Sequence, residues 1–135
     1  MPVNPDLQGR SYPPTAPVLV TAERIAAFAA AVGATDPSSP VAPPTFAIVV
    51  QQAALDALLA DSDTGFEIQN VVHGEQRFAY DRPIVPGDEL TGTMTVTAIR
   101  TLGANAMVTA ETVIADAAGA TVATATSMLL VGGGE

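Results

Sequence analysis

The C-terminal part of the chain leaves little freedom in the choice of fold. From Leu90 to Arg100 the side chains alternate strictly, with Thr91, Thr93, Thr95 and Thr97 on one face and Leu90, Met94, Val96 and Ala98 on the other. A period of two marks a strand with one buried face. After a turn at Leu102-Gly103-Ala104-Asn105, a further β run spans Ala106 to Ala115. Asp116 to Ala120 reads as a Gly-containing hairpin loop and Thr121 to Val131 as the last strand. Upstream, Glu67 to Tyr80 suits one long strand, with Gly74 as a bulge or close-approach point. The stretch Arg82 to Asp88 turns the chain, and its Pro86-Gly87 pair fits the central positions of a type II turn. Strands joined by such short connections lie antiparallel, and their apolar face needs a cover.

The cover comes from the N-terminal half. Thr21 is a fitting N-cap, and Ile25, Phe28, Ala29 and Val32 share one face of a helix from Ala22 to Val32 that Gly33 ends. Three prolines between Ala34 and Pro44 make that segment irregular. Thr45 then opens a second helix, Phe46 to about Ala60. Its first turns (Phe46, Ala47, Ile48, Val49, Val50) carry no polar face, so burial is expected there. Polar side chains return at Gln51, Gln52 and Asp56, and Asp61-Ser62-Asp63-Thr64-Gly65 ends the helix. Residues 1–17, with Pro2, Pro5, Pro13, Pro14 and Pro17, form an arm unsuited to helix and to most sheet pairing. Residues 132–135 form a frayed Gly-rich tail. The expected fold is α+β, an antiparallel sheet wrapped on a central apolar helix.

Composition removes several function classes. The 135 residues suit one domain. Cysteine is absent and histidine occurs once, which excludes disulfides, thiol nucleophiles and a His-rich zinc site, so no metal is expected. Lysine is absent too, which excludes Schiff-base chemistry. Five basic residues against fourteen carboxylates give a formal net charge of -9, a surface that repels nucleic acid. No apolar run approaches the ~20 residues of a membrane span, and Met1 to Asp6 lacks the features of a signal peptide. A cytoplasmic protein without membrane contact is expected.

One stretch carries a family resemblance. His73-Gly74-Glu75-Gln76-Arg77-Phe78-Ala79-Tyr80-Asp81-Arg82-Pro83, followed by the Pro86-Gly87-Asp88 turn, resembles the N-terminal domain family of MaoC-like dehydratases. Ala42-Pro43-Pro44-Thr45-Phe46 is similar to that family's lead into its central helix, and Gly9-Arg10-Ser11-Tyr12-Pro13-Pro14 to its N-terminal arm. The resemblance implies a single hot-dog domain over residues 1–135. It also implies acyl-thioester chemistry, either (R)-specific enoyl-thioester hydration or 3-hydroxyacyl-thioester dehydration. The substrate would ride on CoA or phosphopantetheine, with no other cofactor. Paired hot-dogs are the family habit, so a homodimer, or a heterodimer with a catalytic hot-dog subunit, is implied.

Hydration across a conjugated thioester needs a base, a proton donor and donors for the enolate oxygen. The family places its acid and base in Gly-Asp-x-Asn-Pro-x-His, whereas this chain reads Gly33-Ala34-Thr35-Asp36-Pro37-Ser38-Ser39. Ala34 stands at the position of the acid and Ser39 at that of the histidine, so the motif is degenerate. Asp36 is a substitute only by a two-residue slip. His73 is the remaining candidate, either as a base or as a structural ring bonded to nearby backbone. Glu75 is its possible acid, though adjacent strand residues face opposite sides unless Gly74 bulges. Arg77 and Arg82 are candidates for the thioester phosphates, or else pair with nearby carboxylates. Two other readings remain: a hot-dog thioesterase, with Asp56 as the carboxylate on the central helix, and a non-enzymatic acyl-binding module.

Overall fold

A computed structural model describes residues 3–34 and 41–132. Two helices, α1 (Ala22–Ala31) and α2 (Ile48–Ala60), accompany β1 (Val18–Leu19), β2 (Val71–Tyr80), β3 (Glu89–Leu102), β4 (Asn105–Ala115) and β5 (Thr121–Val131). The strands form one antiparallel sheet in the order β1-β3-β4-β5-β2. β3, β4 and β5 follow one another through short turns, and Gly103 and Gly119 take positive φ there. The Pro86-Gly87 turn forms as expected: Asp88 N donates to Val85 O at 3.2 Å, with Gly87 at φ 95.

Thr21 caps α1 as read, its side chain accepting from Arg24 N at 3.1 Å. α2 begins two residues later than expected, because the Phe46, Ile48, Val49 and Val50 amides bond three residues back in a tight turn. Its N-cap is Ala47, without a side-chain cap, rather than Thr45. Val50, Ala54, Leu55 and Leu58 are buried, yet Ile48 and Val49 remain half-exposed. The expectation of all-round burial therefore fails: the helix lies against one side of the curled sheet, and its other side is not fully covered by this chain. The expected polar side also needs correction, since Gln51 is fully buried. Its Nε2 donates to Ala125 O at 3.0 Å, while its Oε1 has no partner among the described residues.

Sheet and helix enclose two apolar clusters. One gathers Phe46, Val50, Ile84, Leu90 and Ile114, the other Leu7, Leu55, Leu58, Met94, Val108 and Leu129. α2 and the sheet approach closely at Gly92, where a Cβ would lie 2.9 Å from Thr112 Cγ2 and 3.1 Å from Val50 Cγ1. The alternation along β3 holds from Leu90 to Val96 and then shifts at a bulge before Ala98, which is exposed rather than buried.

The arm is bound, not free. Gly9 N donates to Val96 O at 2.7 Å, Tyr12 N to Met94 O at 2.9 Å and Thr15 N to Gly92 O at 2.9 Å. Non-proline residues supply these donors, so Pro13 and Pro14 fit between them along the edge of β3. Gly132 is likewise held, its amide donating to Asn70 O at 2.8 Å, which corrects the frayed-tail reading at that residue. Residues 133–135 lie outside the described residues. Among the described residues β2 ends the sheet, bonded on one side only, to β5. Two helices with a five-stranded curled antiparallel sheet on α2 make the hot-dog arrangement. Among the described residues no helix is long and apolar enough to cross a membrane.

Candidate functional site

An open cleft of about 770 Å³ lies between the end of α1, the start of α2 and the middle of β2. Phe28, Val32, Ile48 and Phe78 give it apolar walls, and Pro43 and Pro44 lie beside them. Thr45, Gln52, His73 and Gln76 supply its polar side chains. Phe28 stands edge-on to Phe46, 5.3 Å between ring centroids, which seats α1 on the turn that leads into α2. Tyr80 spans from β2 to the start of the α2 turn, its hydroxyl donating to Pro44 O. Burial pushes the Tyr80 phenol up from its ordinary value.

His73 does lie in this cleft, and a bulge decides its company. The β2–β5 register runs from His73↔Leu129 to Glu75↔Met128, so Gly74 is the extra residue. In a regular strand, residues three apart face opposite sides. The added residue reverses that parity and puts His73 and Gln76 on one face, with Glu75 on the other. His73 Nε2 accordingly meets Gln76 Oε1 at 2.9 Å, and Ser127 Oγ, fully buried, donates to the same oxygen at 2.5 Å. Gln76 Nε2 donates to Arg77 O at 3.2 Å. The suspected bulge is present, but it joins the ring to Gln76 instead of to Glu75. Glu75 instead meets Arg77, an exposed pair at 3.5 Å.

Ala34 also lines the cleft, so the position that the resemblance gives to the acid opens into the same space as His73. Asp36 and Ser39 lie outside the described residues. Arg77 does not line the cleft: it sits two residues from Glu75 on the opposite face of β2. Arg82 borders a second hollow of about 440 Å³, but its guanidinium is engaged. It grips Asp88 with two bonds, 2.9 and 3.0 Å, and reaches Asp116 at 3.3 Å. Arg82 holds the Asp88 carboxyl below its ordinary range, and the Ala120 amide, with Arg82 adding to it, lowers Asp116. Asp56 is exposed on α2, accepts from Gln52 Nε2 at 3.0 Å and does not line the cleft.

Sequence reasoning did not single out Gln76, Ser127 or Arg24. Gln76 sits inside the His-Gly-Glu-Gln block, where the His-to-Gln spacing with a glycine between was the available signal. Ser127 gave none, being one hydroxyl residue among several on β5. Arg24 lies in a third hollow beside Phe28, Phe46 and Val49, and it makes no ion pair among the described residues. The densest polar cluster is elsewhere. Arg10 bridges Asp61 and Asp63 at 3.2 and 2.9 Å, and Tyr12 donates to Asp61 at 2.7 Å, which fastens the arm to the turn after α2. Burial first, and then Asp61, push the Tyr12 phenol up to about 12. Among the described residues no group of three or more His, Cys, Asp or Glu is placed to hold a metal ion.

Comparisons with known proteins agree with this fold. The profile of the family described as FAS1-like, dehydratase domain region, matches residues 7–125. A UPF0336 protein of Leifsonia xyli subsp. xyli is 53% identical, with the alignment covering 100% of this chain and 99% of that protein. A solved structure described as a MaoC-like dehydratase superposes with a TM-score of 0.82 at 27% identity, over 92% of this chain. This chain spans only 42% of that one. The truncated HadBC (3R-hydroxyacyl-ACP dehydratase) complex of Mycobacterium tuberculosis gives a TM-score of 0.73 at 26% identity, covering 93% of this chain and 97% of that one.

Proposed function

The chain belongs to the family of FAS1-like dehydratase domain regions, and on that premise we propose that it is a partner-dependent, non-catalytic hot-dog subunit of acyl-thioester metabolism. Its setting is (R)-specific enoyl-thioester hydration or 3-hydroxyacyl-thioester dehydration. One observation carries the reading: the cleft holds Ala34 where the resemblance expects a carboxylate, and its imidazole is tied to an amide instead of an acid. A methyl group transfers no proton, so the acid and base come from another subunit.

The remaining features suit that role. The apolar walls of the cleft accept an acyl chain, with few polar groups to orient it. Among the described residues β2 is a ten-residue strand bonded on one side, with Val72 60% exposed, and an open edge of that length is a surface that a second hot-dog covers. The similarity to a HadBC complex favours the same kind of pairing here. Arg82 is committed to Asp88 and Asp116, so the substrate phosphates fall to Arg24, whose hollow shares Phe28 with the cleft, and to cations of the partner.

Isothermal titration of the purified chain with butyryl-CoA and decanoyl-CoA tests the binding half. Saturable binding that weakens at least fivefold in Arg24→Ala is expected. No heat with either ligand, alone or with a catalytic hot-dog partner, would sink the proposal.

A further inference from the structure

Bond directions around Gln76 determine the chemical state of His73. The Gln76 amide nitrogen lies 3.2 Å from Arg77 O, an atom that only accepts, so this end of the amide carries the hydrogens. Turning the amide over would set two oxygens against each other. Oε1 is therefore the atom that faces Ser127 Oγ at 2.5 Å and His73 Nε2 at 2.9 Å. An amide oxygen has two lone pairs and no proton, so both neighbours donate to it. The Ser127 hydroxyl is spent on this bond, and its burial denies Gln76 a competing water there. A proton then sits on Nε2 of His73, and in the neutral ring Nδ1 holds the lone pair. Nδ1 has no partner among the described residues, and the exposed ring borders the cleft.

We propose that Gln76, braced by Ser127, is a positioning residue that holds His73 as its Nε2–H tautomer, so that Nδ1 serves as the hydrogen-bond acceptor of the cleft for a hydroxyl or amide N–H donor on an acyl thioester. The ligand class rests on the function proposed above, whereas the tautomer stands on the geometry alone.

The chain has one histidine, so a long-range ¹H–¹⁵N spectrum of the uniformly labelled protein contains a single imidazole. At mildly alkaline pH the expected result is a pyridine-type Nδ1 and a pyrrole-type Nε2. Averaged nitrogens, or the reverse assignment, overturn the proposal without any variant having to fold. Gln76→Ala should move the two nitrogens toward averaging, while Gln76→Glu, which still accepts, should keep the parent pattern. An unchanged tautomer in Gln76→Ala assigns Gln76 no positioning role. For the ligand, the spectrum is repeated with 3-hydroxybutyryl-CoA and with butyryl-CoA at concentrations that calorimetry shows to saturate. An upfield move of Nδ1 with the hydroxy compound only identifies the hydroxyl as donor, and a move with both identifies a pantetheine N–H. Bound ligand with no move of Nδ1 refutes the acceptor role. Absence of binding, both alone and with a catalytic hot-dog partner, refutes the proposed function and the ligand class with it, while the tautomer result in the free chain stands.

Discussion

Replacing Arg82 with glutamine separates a brace from a phosphate contact. The guanidinium makes two bonds to Asp88 and one to Asp116, at 2.9, 3.0 and 3.3 Å. The Asp88 and Asp116 side chains are only 12% and 21% exposed, so their carboxylates lose a partner that water replaces poorly. Breaking a fully buried ion pair costs about 3–5 kcal/mol. Arg82 itself is 37% exposed, and both carboxylates keep backbone donors, so screening brings the expected loss to about 2 kcal/mol. For a chain of this size that is a fall in Tm of about 6–10 °C. The pH dependence has a definite sign. Asp88 and Asp116 have lowered folded-state values, so their contribution is fully present above the unfolded range near 4 and is lost as pH falls through the lowered values. Urea unfolding followed by circular dichroism should show the gap between parent and Arg82→Gln at pH 7 and its closure in acid. A variant within about 0.5 kcal/mol of the parent at pH 7, a size typical of surface changes, with weakened acyl-CoA binding, would refute the reasoning and return Arg82 to the ligand.

Three further outcomes are expected. Gly92→Ala puts a Cβ 2.9 Å from Thr112 Cγ2, and overpacking of that kind costs about 1–3 kcal/mol, less the ~0.5–1 kcal/mol that alanine gains over glycine in a strand. Thr112→Ser in the same chain should recover part of the loss in a urea double-mutant cycle, and strict additivity would count against the contact. Tyr12 and Tyr80 both have raised values, so ultraviolet titration should show little tyrosinate near pH 10, with Tyr12 ionising at about 12. Stability should fall over that same window, and Tyr12→Phe should remove its share of the fall. Sedimentation of the parent should give a dimer at micromolar concentration, and Val72→Asp on the open β2 edge should weaken it at least tenfold, about 1.4 kcal/mol. A monomeric parent that also ignores a catalytic partner contradicts the assembly.

The later strands were legible because period-two patterning depends on the chain's own backbone: β5 spans Thr121–Val131 as read, and the type II turn lies where Pro86-Gly87 put it, whereas β2 begins at Val71 and not at Glu67, because Ile68–Asn70 form a 3-10 turn. What the alternation could not show was the bulge before Ala98, which no glycine or proline marks. Gln51 looked like a polar helix position, yet it is buried because the sheet presents Ala125 O to it, a partner more than seventy residues away in sequence. The half-exposure of Ile48 and Val49 depends on how far the sheet curls, which no local pattern encodes. For the site, His73 was found because it is the only imidazole, and Gly74 was recognised as a bulge point. Its consequence, that Gln76 replaces Glu75 as the partner, follows from parity counted across the bulge. Ser127 became visible only once β5 lay beside β2. Arg82 was read as a candidate ligand because cations are few, and its commitment to Asp116, thirty-four residues on, needed the fold.

The central claim, that this subunit depends on a partner for its chemistry, is tested most directly by following loss of the conjugated thioester absorbance of trans-2-enoyl-CoA. The purified chain alone is expected to leave the absorbance unchanged. Mixed with a catalytic MaoC-like hot-dog subunit, it should elute with that subunit and raise the turnover above that of the partner alone. Turnover by the chain alone that disappears in His73→Ala would contradict the account and make His73 the catalytic base.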